Sequence, residues 1–201
     1  MKVLLINGSA KEKGCTFTAL SEVARGLNES GVETEILSLG TKPIADCMGC
    51  GKCRETGACV FGDIVNEIVE KAKTADGFVF GSPVYYAHAS GRLLSVLDRA
   101  FYSGGKEFAF KPGAAVVSAR RGGTTASLEV INKHFSINQM PIVTSNYWNM
   151  VHGNTPDEVR QDKEGMRTMY NLGRNMAWMI QCIQAGPEHP QNEKESTNFI
   201  R

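Results

Sequence analysis

Short apolar runs of strand length alternate along the chain with segments in which apolar residues recur at helical spacing. The runs predict strands near residues 2–7, 33–39, 76–82, 113–119 and 140–146. The intervening and final segments predict helices near residues 16–30, 63–74, 90–103, 124–136 and 156–184. This alternation favours a parallel sheet whose two faces are both covered by helices.

Five strands and five helices fit one particular winding of such a sheet. They favour an α/β fold of flavodoxin-like type, a three-layer sandwich with a five-stranded parallel sheet in the order 2-1-3-4-5, over a larger dinucleotide-binding fold. We expect one domain over residues 1–185, followed by a polar, proline-broken tail over 186–201. One long irregular segment, residues 40–62, lies between the second predicted strand and the next helix. We call it the cysteine loop because it contains four cysteines, and a connection of that length is usually functional or disordered.

Charge and hydropathy narrow the classes of function. The 201 residues carry a formal net charge of only +1, which argues against binding to nucleic acid or to an anionic membrane surface. The opening apolar run, residues 1–6, is too short for a signal peptide, and no stretch approaches the length of a membrane span. We expect a soluble, cytoplasmic protein without a membrane partner.

The first strand runs into a glycine- and hydroxyl-containing turn, the phosphate loop (residues 8–14), and a helix begins directly after it. Backbone N–H groups at a helix N-terminus bind anions because they lack partners and sit at the positive end of the helix dipole. The hydroxyls of Ser9, Thr16 and Thr18 add further donors. A Gly/Ser turn that merely precedes a helix remains the alternative.

Two better-known phosphate-binding motifs do not fit this loop. A P-loop has four residues between its glycines and then Lys-Ser/Thr, whereas five residues separate Gly8 from Gly14 and Cys15 follows. A dinucleotide fingerprint requires three glycines, and this loop has two. The remaining match is a loop suited to one phosphate group, as in FMN.

Two more loops follow predicted strands and therefore reach the same sheet edge. After the third strand, Pro83 and the aromatic pair Tyr85 and Tyr86 provide surfaces for a planar ring, unless the tyrosines simply cap the core. After the fourth strand comes the arginine loop (residues 120–123), where Arg120 or Arg121 can balance negative charge on a reduced flavin or a nucleotide phosphate. The convergence of three such loops at one sheet edge is stronger evidence for a flavin site than any one of the loops taken separately.

Four of the six cysteines lie within residues 47–59, in the pattern C-x2-C-x2-C-x5-C. In a reducing compartment such cysteines are read as metal ligands or reactive thiols rather than as a disulfide framework. The spacing favours an iron–sulfur cluster over zinc, which more often uses two well-separated C-x2-C pairs. Cluster, zinc and metal-free thiols all remain open at this point.

Three segments together resemble a known family. They are G-S-x-K-x-x-G-x-T at 8–16, the four-cysteine run at 47–59, and S-P-V-Y-Y…L-D-R at 82–99. They are similar to the NADPH-dependent FMN reductase family, and within it to the iron–sulfur flavoproteins, over about residues 1–155.

The resemblance implies a flavodoxin-like domain that binds FMN, uses NAD(P)H as co-substrate and assembles as a homodimer or homotetramer. The phosphate contacts that it implies are Ser9, Lys11, Thr16, Phe17 through its backbone, and Thr18, with Cys15 in the same turn. The ring contacts that it implies are Pro83, Val84, Tyr85 and Tyr86, with Ser118, Arg120, Arg121, Gly122 and Gly123 behind them. The [4Fe–4S] ligands of the iron–sulfur branch correspond to Cys47, Cys50, Cys53 and Cys59.

The predicted function is an FMN-dependent oxidoreductase that takes hydride from NAD(P)H and passes electrons to a small acceptor such as a quinone, a nitro or azo aromatic, or free flavin. The alternative is an electron carrier with a [4Fe–4S] cluster that takes electrons from ferredoxin. No catalytic side chain is predicted, because the cofactor itself performs the chemistry in such enzymes.

Overall fold

The computed structural model describes residues 1–190, 193, 195, 197 and 199. Within them the strands are β1 (Lys2–Asn7), β2 (Glu33–Ser38), β3 (Gly77–Tyr85), β4 (His88–Ala89), β5 (Gly113–Ala119) and β6 (Met150–His152). The helices are α1 (Cys15–Glu29), α2 (Cys53–Thr56), α3 (Ile64–Ala72), α4 (Gly91–Phe108), α5 (Thr124–Ile137), α6 (Pro156–Gln161) and α7 (Lys163–Ala185).

Five of the strands form a parallel sheet in the order β2-β1-β3-β5-β6. The two-residue strand β4 pairs antiparallel with the end of β3. The main sheet therefore has the flavodoxin-like winding, and the predicted fold class is confirmed.

Strand β1 shows why the fold has three layers. Val3 and Leu5 point into the core formed with α1 and α7, whereas Leu4 and Ile6 point into the core formed with α3, α4 and α5. All four side chains are fully buried, because a parallel strand with helices on both faces leaves no face to solvent.

The predicted fifth strand, residues 140–146, is wrong. Ile142 forms one isolated bridge with Gly113, the chain then leaves the sheet, and the edge strand β6 begins only at Met150. The apolar run at 140–143 is longer than the apolar pair Met150–Val151, so hydrophobicity favoured the earlier segment.

The single helix predicted over 156–184 is also wrong, because the structure has two helices there. The chain breaks at Asp162, whose side chain accepts a hydrogen bond from the backbone N–H of Gly165 at 2.9 Å and thereby caps α7. Helix α4 is longer than predicted and bends at Gly104, which packs against Val69.

The cysteine loop contains the short helix α2. The division into a domain at 1–185 and a tail at 186–201 stays a prediction, and part of that tail lies outside the described residues. Among the described residues, no helix combines the length and apolar character required to cross a bilayer.

Candidate functional site

Asn7, the last residue of β1, organises the phosphate loop from a fully buried position. Its side-chain amide donates hydrogen bonds to the backbone oxygens of Glu12 (3.1 Å) and Lys11 (3.4 Å) and to Ser38 Oγ (3.2 Å). Its Oδ1 accepts from the backbone N–H of Ser9 at 3.1 Å. Sequence reasoning missed Asn7, although an Asn-Gly pair directly after a strand is a turn signal.

The N-terminus of α1 opens onto this loop. Its N-cap residue, Gly14, has an extended backbone, and none of the described side chains caps the helix. The first-turn N–H groups therefore present unpartnered donors at the positive end of the helix dipole. Thr18 Oγ1 donates back to the oxygen of Gly14 at 3.2 Å, and Ser9 is buried. This donor set fits one phosphate group.

A buried hydrogen bond connects α1 to the end of β5. The hydroxyl oxygens of Thr16 and Ser118 lie 2.8 Å apart, and both side chains are buried. Two residues predicted from different loops are thus brought into direct contact.

The second loop is a tight hairpin (residues 84–89) formed by the end of β3 and by β4. Val84 pairs with Ala89 and Tyr85 with His88, leaving Tyr86 (φ 50°) and Ala87 (φ 59°) as a two-residue turn. Positive φ at both turn positions is a conformation that glycine or asparagine usually supplies. The Tyr86 side chain has a relative exposure of 105%, so the interpretation that it caps the core is wrong.

The hairpin rests on the arginine loop. Gly123, the N-cap of α5, has φ 95°, and a Cβ added there would lie 2.5 Å from Ala87 Cα. Ser90 Oγ in turn donates to the backbone oxygen of Gly8 at 3.0 Å. The hairpin thus packs on the arginine loop, and Ser90, directly after the hairpin, binds the first residue of the phosphate loop. The Thr16–Ser118 bond joins the residues that flank the other two loops, so the predicted convergence at one sheet edge is present.

The other predicted cofactor residues occupy the same edge with different exposure. Lys11, Arg120, Arg121 and Gly122 are exposed, whereas Cys15, Phe17, Pro83 and Val84 are partly buried. The exposed cations favour a negatively charged ligand there. Burial raises the pKa of the Cys15 thiol, which lies 3.8 Å from the oxygen of Gly153.

The cysteine loop encloses a second feature, the cysteine cavity, of about 480 Å³. All four cysteines of the motif line it: Cys47, Cys50, Cys53 and Cys59. Positive φ values at Gly49 (66°) and Gly51 (72°) turn the chain between the first three of them.

The four thiols are all free, and within the described residues no three His, Cys, Asp or Glu side chains are close enough to share one metal ion. In a [4Fe–4S] cluster each thiolate binds a different iron, so the ligands surround a cavity instead of meeting at one point. Four thiols that line one cavity are a donor set that fits such a cluster.

Comparison with known proteins agrees with this architecture. The family model described as NADPH-dependent FMN reductase matches residues 1–155. An iron–sulfur flavoprotein of Methanocaldococcus jannaschii is 35% identical over 192 residues, covering 92% of this chain and 100% of that protein. An iron–sulfur flavoprotein of Methanosarcina thermophila is 31% identical over 191 residues, covering 92% of this chain and 97% of that protein.

Among solved structures, that of RosB with bound 8-demethyl-8-formylriboflavin-5′-phosphate superposes with a TM-score of 0.72 at 13% identity, covering 100% of this chain and 92% of that one. An identity this low bears on the fold alone. The family match and the whole-length similarity confirm the resemblance predicted from the sequence: this chain belongs to the NADPH-dependent FMN reductase family of flavoprotein oxidoreductases.

Proposed function

We propose that this protein is an iron–sulfur flavoprotein that transfers electrons, with FMN at the three-loop edge and a [4Fe–4S] cluster in the cysteine cavity. The observation that carries the proposal is the convergence of Cys47, Cys50, Cys53 and Cys59 on one cavity. When bound, FMN supplies one- and two-electron chemistry and the cluster supplies one-electron chemistry. The relatives named iron–sulfur flavoproteins, which match 92% of the chain, support this assignment.

The chain's own contribution at the FMN edge is binding and orientation. The uncapped N-terminus of α1 and the loop ordered by Asn7 hold the phosphate. Tyr86, exposed on the hairpin, would contact the ring, and the exposed Arg120 and Arg121 would supply positive charge for the anionic reduced cofactor.

The mouth of the cysteine cavity suits a protein partner that delivers electrons, such as ferredoxin. Apolar and aromatic side chains on its lining are exposed: Met48 (61%), Val60 (50%), Phe61 (42%) and Tyr102 (67%). Exposed apolar residues clustered at one place are typical of contact surfaces, and short electron-transfer contacts require little area.

Anaerobic purification followed by absorption spectroscopy and by iron and acid-labile sulfide analysis tests the proposal. We expect about four iron atoms per chain, and we expect Cys47→Ala and Cys53→Ala to lose iron while keeping FMN. Cys182→Ala is the matched control, because this cysteine is exposed on α7 and lies outside the cavity. Protein that stays iron-free after anaerobic reconstitution would refute the cluster assignment.

The second candidate is an NAD(P)H oxidoreductase that reduces a small acceptor through FMN alone. The exposed Tyr86, Arg120 and Arg121 favour it, because they leave room and positive charge for a nucleotide at the flavin edge. Turnover of NADH and NADPH with a quinone or an azo dye, compared with reduction by ferredoxin, separates the two candidates. Wild-type rates of NAD(P)H turnover in Cys53→Ala would favour the second candidate, which needs no cluster.

A further inference from the structure

Arg99, on α4, is a charged residue buried beside the cysteine cavity. Its relative exposure is 2%, and it is among the largest fully buried side chains of the described residues. A buried guanidinium is costly unless every donor has a partner, so its contacts indicate what it is there to hold.

Those contacts join separate parts of the cysteine loop. Nε donates to Cys59 Sγ at 3.3 Å, and Nη1 donates to the backbone oxygen of Ala45 at 3.1 Å. The two Nη atoms also bind the carboxylate of Asp63 at 2.9 and 2.7 Å. The Phe61 ring lies 4.6 Å from the guanidinium carbon and covers its face.

Cys59 is therefore unlike the other three cysteines of the cavity. Within the described residues it alone accepts a hydrogen bond from a charged side chain, whereas the Cys53 thiol donates to the backbone oxygen of Tyr102 at 3.6 Å. Cys59 also packs against the core, and Cys50 is exposed.

We propose that Arg99 is the positioning residue of the cysteine cavity: it fixes the sulfur of Cys59 and raises the reduction potential of a cluster held there. The inference rests on the proposed function. Hydrogen bonds to ligand sulfur and nearby positive charge stabilise the reduced form, because reduction adds one electron, and thus one negative charge, without changing any bond.

Asp63 opposes the effect of Arg99 on the reduction potential, so the inference predicts the direction in which each variant shifts that potential. The Asp63 carboxylate forms an ion pair with Arg99 while also capping α3 by accepting from the backbone N–H of Val65 at 3.1 Å. Asp63→Asn keeps an oxygen for the cap but removes the negative charge. It should therefore shift the potential in the direction opposite to Arg99→Lys, which loses the Nε donor.

The experiment is a dithionite titration of the anaerobic, iron-loaded holoprotein, in which dithionite is oxidised, FMN takes up two electrons and the cluster takes up one, the cluster step being the one compared. For Arg99→Lys we expect the equilibrium constant for reduction to fall about tenfold, or about 59 mV for a one-electron couple. For Asp63→Asn we expect it to rise by about the same factor.

Arg92→Lys is the matched control for loop tethering alone. Arg92 lies seven residues earlier on α4 and donates to the backbone oxygens of Thr41 and Lys42, at the start of the cysteine loop. It contacts none of the four thiols, so its variant should keep the wild-type potential.

Iron, sulfide and FMN contents are measured on every variant. The inference would be overturned, and the proposed function left standing, by either of two results. In the first, iron-loaded Arg99→Lys has the wild-type reduction potential; in the second, the potentials of Arg99→Lys and Asp63→Asn shift in the same direction. Loss of iron from both variants, with iron retained in Arg92→Lys, would likewise overturn it by reducing Arg99 to a structural role. An iron-free wild-type protein would remove the proposed function together with the inference.

Discussion

The hydroxyl groups of Thr16 and Ser118 form one hydrogen bond of 2.8 Å between α1 and the end of β5. Both side chains are buried, so neither has water as a replacement partner. This buried polar contact therefore joins the helix that follows the phosphate loop to the strand that precedes the arginine loop.

Thr16→Val should weaken FMN binding by about tenfold, because it leaves Ser118 Oγ buried without its partner, at a cost of about 1–3 kcal/mol. Quenching of FMN fluorescence measures the affinity. Thr34→Val is the control, since the hydroxyl of Thr34, on β2, donates to the exposed side chain of Asn28, near the end of α1. Equal affinity in Thr16→Val and the wild type would contradict the prediction.

Asn7→Asp should reduce the preference for FMN over riboflavin by about tenfold or more. The carboxylate can still accept from Ser9, but it cannot donate to Lys11 and Glu12, and its charge repels a phosphate. The ratio of the two dissociation constants, measured by titration of the apoprotein, isolates the phosphate part of the site. An unchanged ratio would mean that the phosphate binds elsewhere.

Gly123→Ala should destabilise the hairpin by about 1–3 kcal/mol and lower FMN affinity, because φ is 95° and the new Cβ would overlap Ala87. Gly122→Ala is a close control for the loss of stability: a Cβ there has no neighbour within 4 Å. Urea unfolding and FMN titration of both variants provide the test. If the two glycines tolerate alanine equally, Gly123 does not support the hairpin.

Tyr86→Ala should leave the free energy of unfolding within about 0.5 kcal/mol of wild type, because the side chain is fully exposed. If Tyr86 contacts the ring and not the phosphate, as proposed above, FMN and riboflavin affinities should fall by the same factor. This pattern differs from that of Asn7→Asp. A loss confined to FMN would place Tyr86 at the phosphate instead.

Acid should loosen the cysteine loop through Asp63. Burial alone would raise the pKa of this carboxyl, but hydrogen bonds from Arg99 and Val65 outweigh burial and hold the pKa below its usual range. The ion pair therefore stabilises the fold above the unfolded-state pKa of ~3.9, and this contribution is lost as pH falls through the lower folded-state value.

The measurement is urea unfolding of wild type and Asp63→Asn between pH 6 and pH 3. The wild type should lose more stability than the variant as the pH falls, because the variant has no charge to lose at this position. Parallel pH profiles would show that the pair contributes nothing to acid sensitivity.

The sheet was predictable from sequence where strands are long and buried on both faces, as in β1, β3 and β5. The edge strand β6 was not, because Met150–His152 pairs on one side only and its apolar signal is two residues long. Asp162 also escaped prediction: it lies inside a continuous helical pattern, and only its capping geometry ends one helix and begins the next.

The candidate site likewise has parts that the sequence predicts and parts that it does not. Glycine spacing and cysteine spacing pointed to the phosphate loop and the cysteine cavity, since both motifs are local in sequence. Ser90 and Arg99 act over long sequence separations, on Gly8 and Cys59, so no local pattern reveals them. Ala87 carried no signal at all, because its positive φ is imposed by the hairpin register.

The turn at Tyr86 and Ala87 has a consequence for directed evolution. Asn-Gly at these two positions would relax the backbone, so a selection for heat resistance alone should enrich that replacement. The same replacement removes the aromatic ring from the flavin edge. Thermostable descendants of this protein should therefore accumulate with impaired redox function, unless cofactor retention is selected together with survival at high temperature.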